Sequence, residues 1–181
     1  MGLQVQRFGY DVYNENKIGL GYGKQLGKHF SAGVQFNYMY THLSGPYESY
    51  HSFVAEAGVQ AKFADRWLFG VHIFNPTLSK TGDNENETPE TILRAGIGSI
   101  ITEELLLTAE VEKHIDKPIN FRMGIDYQFD FGLNFQAGFQ TEPEQFSAGA
   151  GYIFNQFAVQ VAVTTSKYLE PGTHFSLVYS F

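Results

Sequence analysis

The stretch Phe30–Thr41, FSAGVQFNYMYT, alternates between two kinds of side chain at every position. Side chains two residues apart on a β-strand point to the same face of the sheet, so such alternation predicts a strand with two unlike faces. One face carries Phe30, Ala32, Val34, Phe36, Tyr38 and Tyr40. The other carries Ser31, Gly33, Gln35, Asn37, Met39 and Thr41, which are mostly small or polar.

The same period of two recurs along the chain. Residues 51–63 repeat it, with apolar residues opposite Ser52, Val54, Glu56, Gly58, Gln60 and Lys62. Nine further apolar faces lie within 18–22, 67–73, 93–97, 105–111, 119–127, 133–139, 146–152, 157–163 and 175–181. Residues 3–12 form a twelfth candidate strand, although Arg7 and Phe8 blur its phase.

The length of these strands separates a membrane protein from a soluble one. They run to about ten residues, the length that a tilted strand needs to cross a bilayer, whereas strands of soluble sheets average about 5–6. Their polar faces are mostly Gly, Ser, Gln and Asn rather than the Lys, Glu and Thr of a face in bulk water. We therefore predict an all-β fold, an antiparallel transmembrane β-barrel of about 12 strands, as a single domain over residues 1–181.

Composition excludes several other classes. Charged residues make up 17% of the chain and aromatic residues 16%, and there are 19 glycines. The longest apolar runs, such as Leu105–Leu107, fall far short of the ~20 residues of a membrane-spanning helix. There is no cysteine to form a disulfide, and the net charge of -7 with no basic patch argues against nucleic acid. No charged segment followed by an apolar one opens the sequence, so we expect any signal peptide to lie outside this numbering.

The predicted connections alternate in length. Short turns around Gly27, Asp65, Glu103, Asp130 and Asn155 alternate with longer connections at 42–50, 76–90, 114–118, 141–144 and 166–172. Outer-membrane barrels have short periplasmic turns and longer external loops, so the long set is expected outside. Aromatic residues near strand ends are typical of interfacial girdles: Tyr38, Tyr40, Phe63, Trp67, Tyr127, Phe129, Tyr152, Phe154, Tyr179 and Phe181. The predicted location is the bacterial outer membrane.

The last strand ends in an aromatic residue. Its apolar face carries Phe175, Leu177, Tyr179 and Phe181. This ending resembles the signal that outer-membrane barrels present to their insertion machinery. The resemblance implies that machinery and the outer-membrane lipid as partners.

From about Ile18 onward the chain also resembles the C-terminal half of the PorV and PorQ group of Bacteroidetes, which is related in architecture to FadL-type channels. The resemblance is carried by the residue ranges 22–27, 74–76, 107–113, 121–127, 146–152 and 171–174. It implies a barrel of about 14 strands and a non-enzymatic role in, or beside, type IX protein secretion. The N-terminal strands of that family have no counterpart here, so 12 strands would have to close alone.

Five charged residues are predicted to share the inward face of neighbouring strands. Strand pairing sets Arg94 opposite Glu112 and Glu110 opposite Arg122, with Asp126 further along the same face. Opposite charges across neighbouring strands stabilise a narrow polar lumen. This charge ladder is expected to stiffen the wall; alternatively, it constricts a pore and sets ion selectivity.

Hydrogen-bonding residues are also predicted to line the lumen: Gln35, Asn37, Glu56, Gln60, Gln136 and Gln160. They offer hydrogen bonds rather than apolar contact, so a fatty-acid pathway fits poorly. A passive or selective channel for small polar solutes is accordingly the alternative to the secretion role, and a structural barrel scaffold is the third possibility.

Catalysis and metal binding find little support in the sequence. His174 and Ser176 share a face of the last strand, but residues two apart on a strand stand about 7 Å apart and no third member is evident. The other histidines are scattered. Asp83, Glu85, Glu87 and Glu90 could hold Ca²⁺, although a solvated acidic loop is the commoner case. No enzyme activity, cofactor or metal site is predicted.

Overall fold

The computed structural model describes residues 1–10, 13–43, 49–77, 89–166 and 170–179, without the side chains of Tyr10 and Leu43. Within them the chain forms twelve strands. They are β1 Gly2–Tyr10, β2 Tyr13–Leu26, β3 Phe30–Leu43, β4 Tyr50–Phe63, β5 Trp67–Phe74, β6 Ile92–Ile100, β7 Leu105–His114, β8 Ile119–Gln128, β9 Leu133–Thr141, β10 Glu144–Phe154, β11 Phe157–Ser166 and β12 Gly172–Tyr179. No helix in these ranges is long and apolar enough to span a membrane.

The strands form one 12-stranded sheet in which each strand neighbours the next in sequence. The chain divides into two compact units. The first comprises Met1–Ala61, Gly70–Arg94 and His114–Asp116, and contains the antiparallel pairs β1–β2, β2–β3 and β3–β4. The second comprises Lys62–Phe69, Ala95–Lys113 and Lys117–Phe181, and contains the antiparallel pairs from β7–β8 to β11–β12.

Burial in both units is the reverse of that in a soluble protein. The described hydrophobic residues that are buried are Val54 and Ala61, whereas the buried polar or charged ones are Asn14, Asn37, Ser52, Asn75, Glu112, Asn120 and Asn134. On β11 the apolar Val161 is 45% exposed, while its polar neighbour Gln160 is half-buried. An extensive apolar surface needs a partner other than water, and the hydrocarbon of a bilayer satisfies it.

Glycines on the polar faces make room for long polar side chains. A Cβ at Gly19 would lie 2.5 Å from Asn37 Oδ1 and 2.6 Å from Gln35 Nε2. A Cβ at Gly151 would lie 2.2 Å from Asn134 Oδ1. A side chain at either position would require the polar side chain of the neighbouring strand to move.

One connection between strands is shorter than the sequence predicts. The segment 141–144 was expected to be one of the longer loops, but Thr141 pairs with Glu144 and only residues 142 and 143 form the turn. Asn120 stabilises this turn, because its Oδ1 accepts hydrogen bonds from the backbone N–H of Thr141 at 3.1 Å and of Glu142 at 2.9 Å. The first strand ends at Tyr10, and the cores of three long connections, 44–48, 78–88 and 167–169, lie outside the described residues.

Candidate functional site on the polar faces

The polar face of the first unit carries a charged cluster centred on Glu56 of β4. Lys17 Nζ of β2 lies 2.6 Å from Glu56 Oε1, and Asn37 Nδ2 of β3 donates to the same oxygen at 2.7 Å. His72 Nε2 of β5 lies 3.0 Å from Glu56 Oε2. The Glu56 side chain is only 14% exposed, so these contacts replace most of its hydration.

Strand register explains how this cluster forms. Gln35 of β3 is opposite Glu56 of β4, and Gly19 of β2 is opposite Asn37 of β3. Lys17 of β2 reaches Glu56 of β4 across β3, which lies between them. Lys17 Nζ also lies 5.3 Å from the centre of the Phe74 ring, a cation–π contact that holds the ammonium group in place.

An open cleft of about 480 Å³ borders this cluster. Gln35, Glu56 and His72 line it together with five glycines, and Met1, Tyr22, Val34 and Ala57 complete the lining. Gln35 Nε2 donates to Gln4 Oε1 and to Asn37 Oδ1, each at 2.7 Å. The cleft is thus lined by hydrogen-bonding groups whose positions are set by one another.

The second unit carries a cluster centred on Arg122 of β8. Glu110 and Arg122 are register partners, as the sequence predicts. Arg122 Nη1 lies 3.5 Å from Glu110 Oε1, and Nη2 lies 2.6 Å from Glu112 Oε1. Glu112 is 1% exposed and also accepts a hydrogen bond from Asn120 at 3.4 Å, so Arg122 is the cation that compensates a buried carboxylate.

A further member of the predicted ladder forms a hydrogen bond with the neighbouring strand. Asp126 is opposite Gln136 of β9, which donates to its Oδ2 at 2.6 Å. Arg94 is half-buried on β6 in the first unit. Within the second unit the ladder comprises the triad Glu110–Arg122–Glu112 and the hydrogen-bonded pair Asp126–Gln136, while the pairing of Arg94 with Glu112 stays a prediction. Its role as stiffener or selectivity filter stays a prediction.

The predicted polar lining differs in burial from one position to the next. Asn37 is 2% exposed, whereas Gln60, near the end of β4, is exposed. Gln160 of β11 is half-buried and lies opposite Ser176 of β12.

The sequence analysis missed two members of the first cluster. Lys17 was not considered, although it alternates with Gly19 and Gly21 and so belongs to the polar face of β2. His72 was regarded as one of several scattered histidines. Its alternation with Gly70 would have placed it on the polar face of β5, but no sequence signal links it to Glu56.

The residues considered for catalysis and metal binding contribute no assembled site within the described ranges. His174 and Ser176 are both exposed on β12, and no hydrogen bond between them is seen there. Asp83, Glu85 and Glu87 lie outside the described residues, while Glu90 contacts His114. The described part of the chain holds no group of three or more acidic or histidine side chains suited to a metal ion.

Aromatic and apolar side chains of the last strand are exposed. Phe175 is 71%, Leu177 60% and Tyr179 51% exposed, and Phe181 lies outside the described residues. The ring of Tyr179 packs against Phe157 with centroids 4.9 Å apart. The predicted role of these residues as an insertion signal is untested.

Two solved structures share this fold. One is a KdgM porin, with a TM-score of 0.63 and 12% identity over 99% of this chain and 97% of that one. The other is a KdgM porin in complex with disordered oligogalacturonate, with a TM-score of 0.67 and 10% identity over 100% of this chain and 99% of that one. No protein-family model and no curated protein matches the sequence.

This likeness confirms the predicted fold, an antiparallel transmembrane β-barrel. The chain accordingly has the fold of a porin, and the predicted location in a bacterial outer membrane agrees with that fold. Neither structure is a PorV, PorQ or FadL-type protein, so that resemblance stays a prediction.

Proposed function

We propose that this protein is a passive outer-membrane channel for small polar solutes and has no catalytic activity. One observation carries the proposal: the less exposed face of the sheet is polar and is lined by glycine, amide and charged side chains. A packed scaffold would fill that face with side chains, whereas glycines here leave a cleft of about 480 Å³ open beside the polar groups. A face lined with amides and paired charges instead suits water and hydrogen-bonding solutes.

The charges along this face favour neutral solutes and cations over acidic ones. The cations Lys17 and Arg122 each contact carboxylates, Glu56 in one unit and Glu110 with Glu112 in the other. A cation that already neutralises a buried carboxylate offers little attraction to an acidic solute. The oligogalacturonate of the second KdgM structure is a chain of sugar acids, and we propose that this protein differs from KdgM in that preference.

Conductance across planar bilayers tests the proposal. The purified chain should give steady current, and vesicles containing it should swell in small neutral sugars. Gly21→Trp should reduce both, because the indole would enter the 480 Å³ cleft, where the atom nearest a Cβ at Gly21 is the flexible Gln35 Oε1 at 3.2 Å. Val59→Trp is the matched control, since Val59 is 53% exposed on the apolar face of β4 and does not line the cleft.

The competing roles predict other results. Absence of current from correctly folded protein, or equal current from Gly21→Trp and the parent chain, would rule out this channel. The secretion role implied by the resemblance to PorV and PorQ predicts silence together with secretion components that copurify from native membranes. A scaffold predicts silence alone.

A further inference from the structure

The outward face of the first unit changes from apolar to polar within two residue rows. One row across β1 to β4 consists of Val5, Ile18, Tyr38 and Phe53, which are register partners in turn. Val5 is 70% and Phe53 72% exposed. These side chains suit contact with lipid hydrocarbon.

The next row toward the 44–49 connection has a different chemistry. Register aligns Arg7 with Asn16, Asn16 with Tyr40 and Tyr40 with His51 across the same four strands. This headgroup row, Arg7–Asn16–Tyr40–His51, lies on the outward face because each member is two residues from a member of the apolar row. Tyrosine beside hydrocarbon and a cation just beyond it mark the membrane–water interface.

The members of this row are held by neighbours that leave polar groups available. The Tyr40 and His51 rings lie 4.9 Å apart, and the hydroxyl of Tyr38 lies 2.5 Å from His51 Nδ1. The Asn16 amide donates to Asn14 Oδ1 at 2.8 Å. Arg7 is exposed and forms no hydrogen bond or ion pair with any residue in the described ranges.

We propose that the headgroup row binds a phosphate of a glycolipid in the outer leaflet of the membrane. Arg7 would supply a planar donor pair suited to phosphate oxygens, and Asn16, Tyr40 and His51 would supply further donors along the same line. The outer leaflet follows from topology. At the end that carries the row, residues 11–12, 44–49 and 75–91 join the strands, whereas at the opposite end the connections are 27–29 and 64–66, so both connections of more than three residues lie at the end of the row. Longer connections face outside in outer-membrane barrels.

Native mass spectrometry of the purified protein in detergent tests this proposal with diphosphorylated lipid A as the probe. The parent chain should bind it about fivefold or more tightly than the same lipid stripped of phosphate, since a charged contact near a membrane surface contributes about 1 kcal/mol. Arg7→Gln should abolish that preference. Lys24→Gln is the matched control: it removes an exposed cation from the same outward face of the first unit at the opposite end of β2 and should leave the preference intact.

Three results would overturn the proposal, and the first needs no variant. Equal binding of the phosphorylated and stripped lipids by the parent chain would show that the acyl chains alone are recognised. Equal loss in Arg7→Gln and Lys24→Gln would show a general effect of charge. Displacement of the lipid by millimolar inorganic phosphate would show a site for free anions. Heat-modifiable migration on gels would verify that both variants are folded, and none of these results bears on conductance.

Discussion

Removing Arg122 tests the energetics of the buried charge triad. In Arg122→Met the carboxylate of Glu112, which is 1% exposed, loses the guanidinium nitrogen that lies 2.6 Å from it. Breaking a buried ion pair on one side costs about 3–5 kcal/mol. The low end applies, because Asn120 still donates to Glu112 and the Arg122 side chain is itself 35% exposed. We expect a loss of about 3 kcal/mol in the free energy of unfolding, roughly a hundredfold in the folding equilibrium constant.

Two further variants separate this pair from its neighbour. Glu110→Gln should cost no more than about 1 kcal/mol, because Arg122 Nη1 lies 3.5 Å from Glu110 and both side chains are 35% exposed. The double variant Arg122→Met/Glu112→Met should recover most of the stability lost in Arg122→Met, because no charge is then left buried without a partner.

Urea unfolding in lipid vesicles provides the measurement. Fluorescence of Trp67, the single tryptophan of the chain, reports the transition. If Arg122→Met and Glu110→Gln lowered stability equally, or if Arg122→Met changed it by less than about 0.5 kcal/mol, water in the lumen would have to solvate Glu112. The triad would then have no particular energetic role.

Three other predictions follow from the faces of the strands. Gly151→Ala should destabilise the protein by about 1–3 kcal/mol in the same assay, since its Cβ would lie 2.2 Å from an amide oxygen of β9. Gly70→Ala should have little effect, because a Cβ at Gly70 has no atom within 4 Å. Equal effects of the two variants would contradict the close packing at Gly151. Val161→Arg should lower the free energy of unfolding by about 2–4 kcal/mol, because Val161 faces hydrocarbon, and Gln160→Arg should lower it markedly less. The reverse order would mean that the two faces are misassigned. Glu56→Gln should make the channel more selective for anions, because Lys17 and His72 would lose their shared carboxylate. The reversal potential in a salt gradient measures this selectivity, and an unchanged value would show that the cluster lies outside the conducting path.

The strands and their faces were predictable because the period of two is written directly in the residue order. Every stretch identified by alternation corresponds to a strand, including the blurred first one, β1. The Glu110–Arg122 register followed from counting outward from a turn, since antiparallel neighbours separated by a known turn have only one alignment. The same counting failed to anticipate how short the 142–143 turn is, because the contribution of Asn120 comes from another strand.

Contacts between strands that are not sequential neighbours could not be predicted. Lys17 of β2 reaches Glu56 of β4 across β3, and His72 of β5 meets the same carboxylate from the other side. That meeting depends on side-chain length and on the stagger of neighbouring strands. None of these appears in the spacing of residues along the chain.

Residue order alone determined that this chain is a membrane β-barrel, because alternation of apolar and polar side chains over about ten residues suits a strand between hydrocarbon and a polar interior. Tertiary structure decided which inward charges neutralise each other, and that Glu112 rather than Glu110 is the buried partner of Arg122. The physical reason is that a strand's period sets the direction of each side chain, whereas the distance between two side chains depends on the register, stagger and free space of the whole sheet.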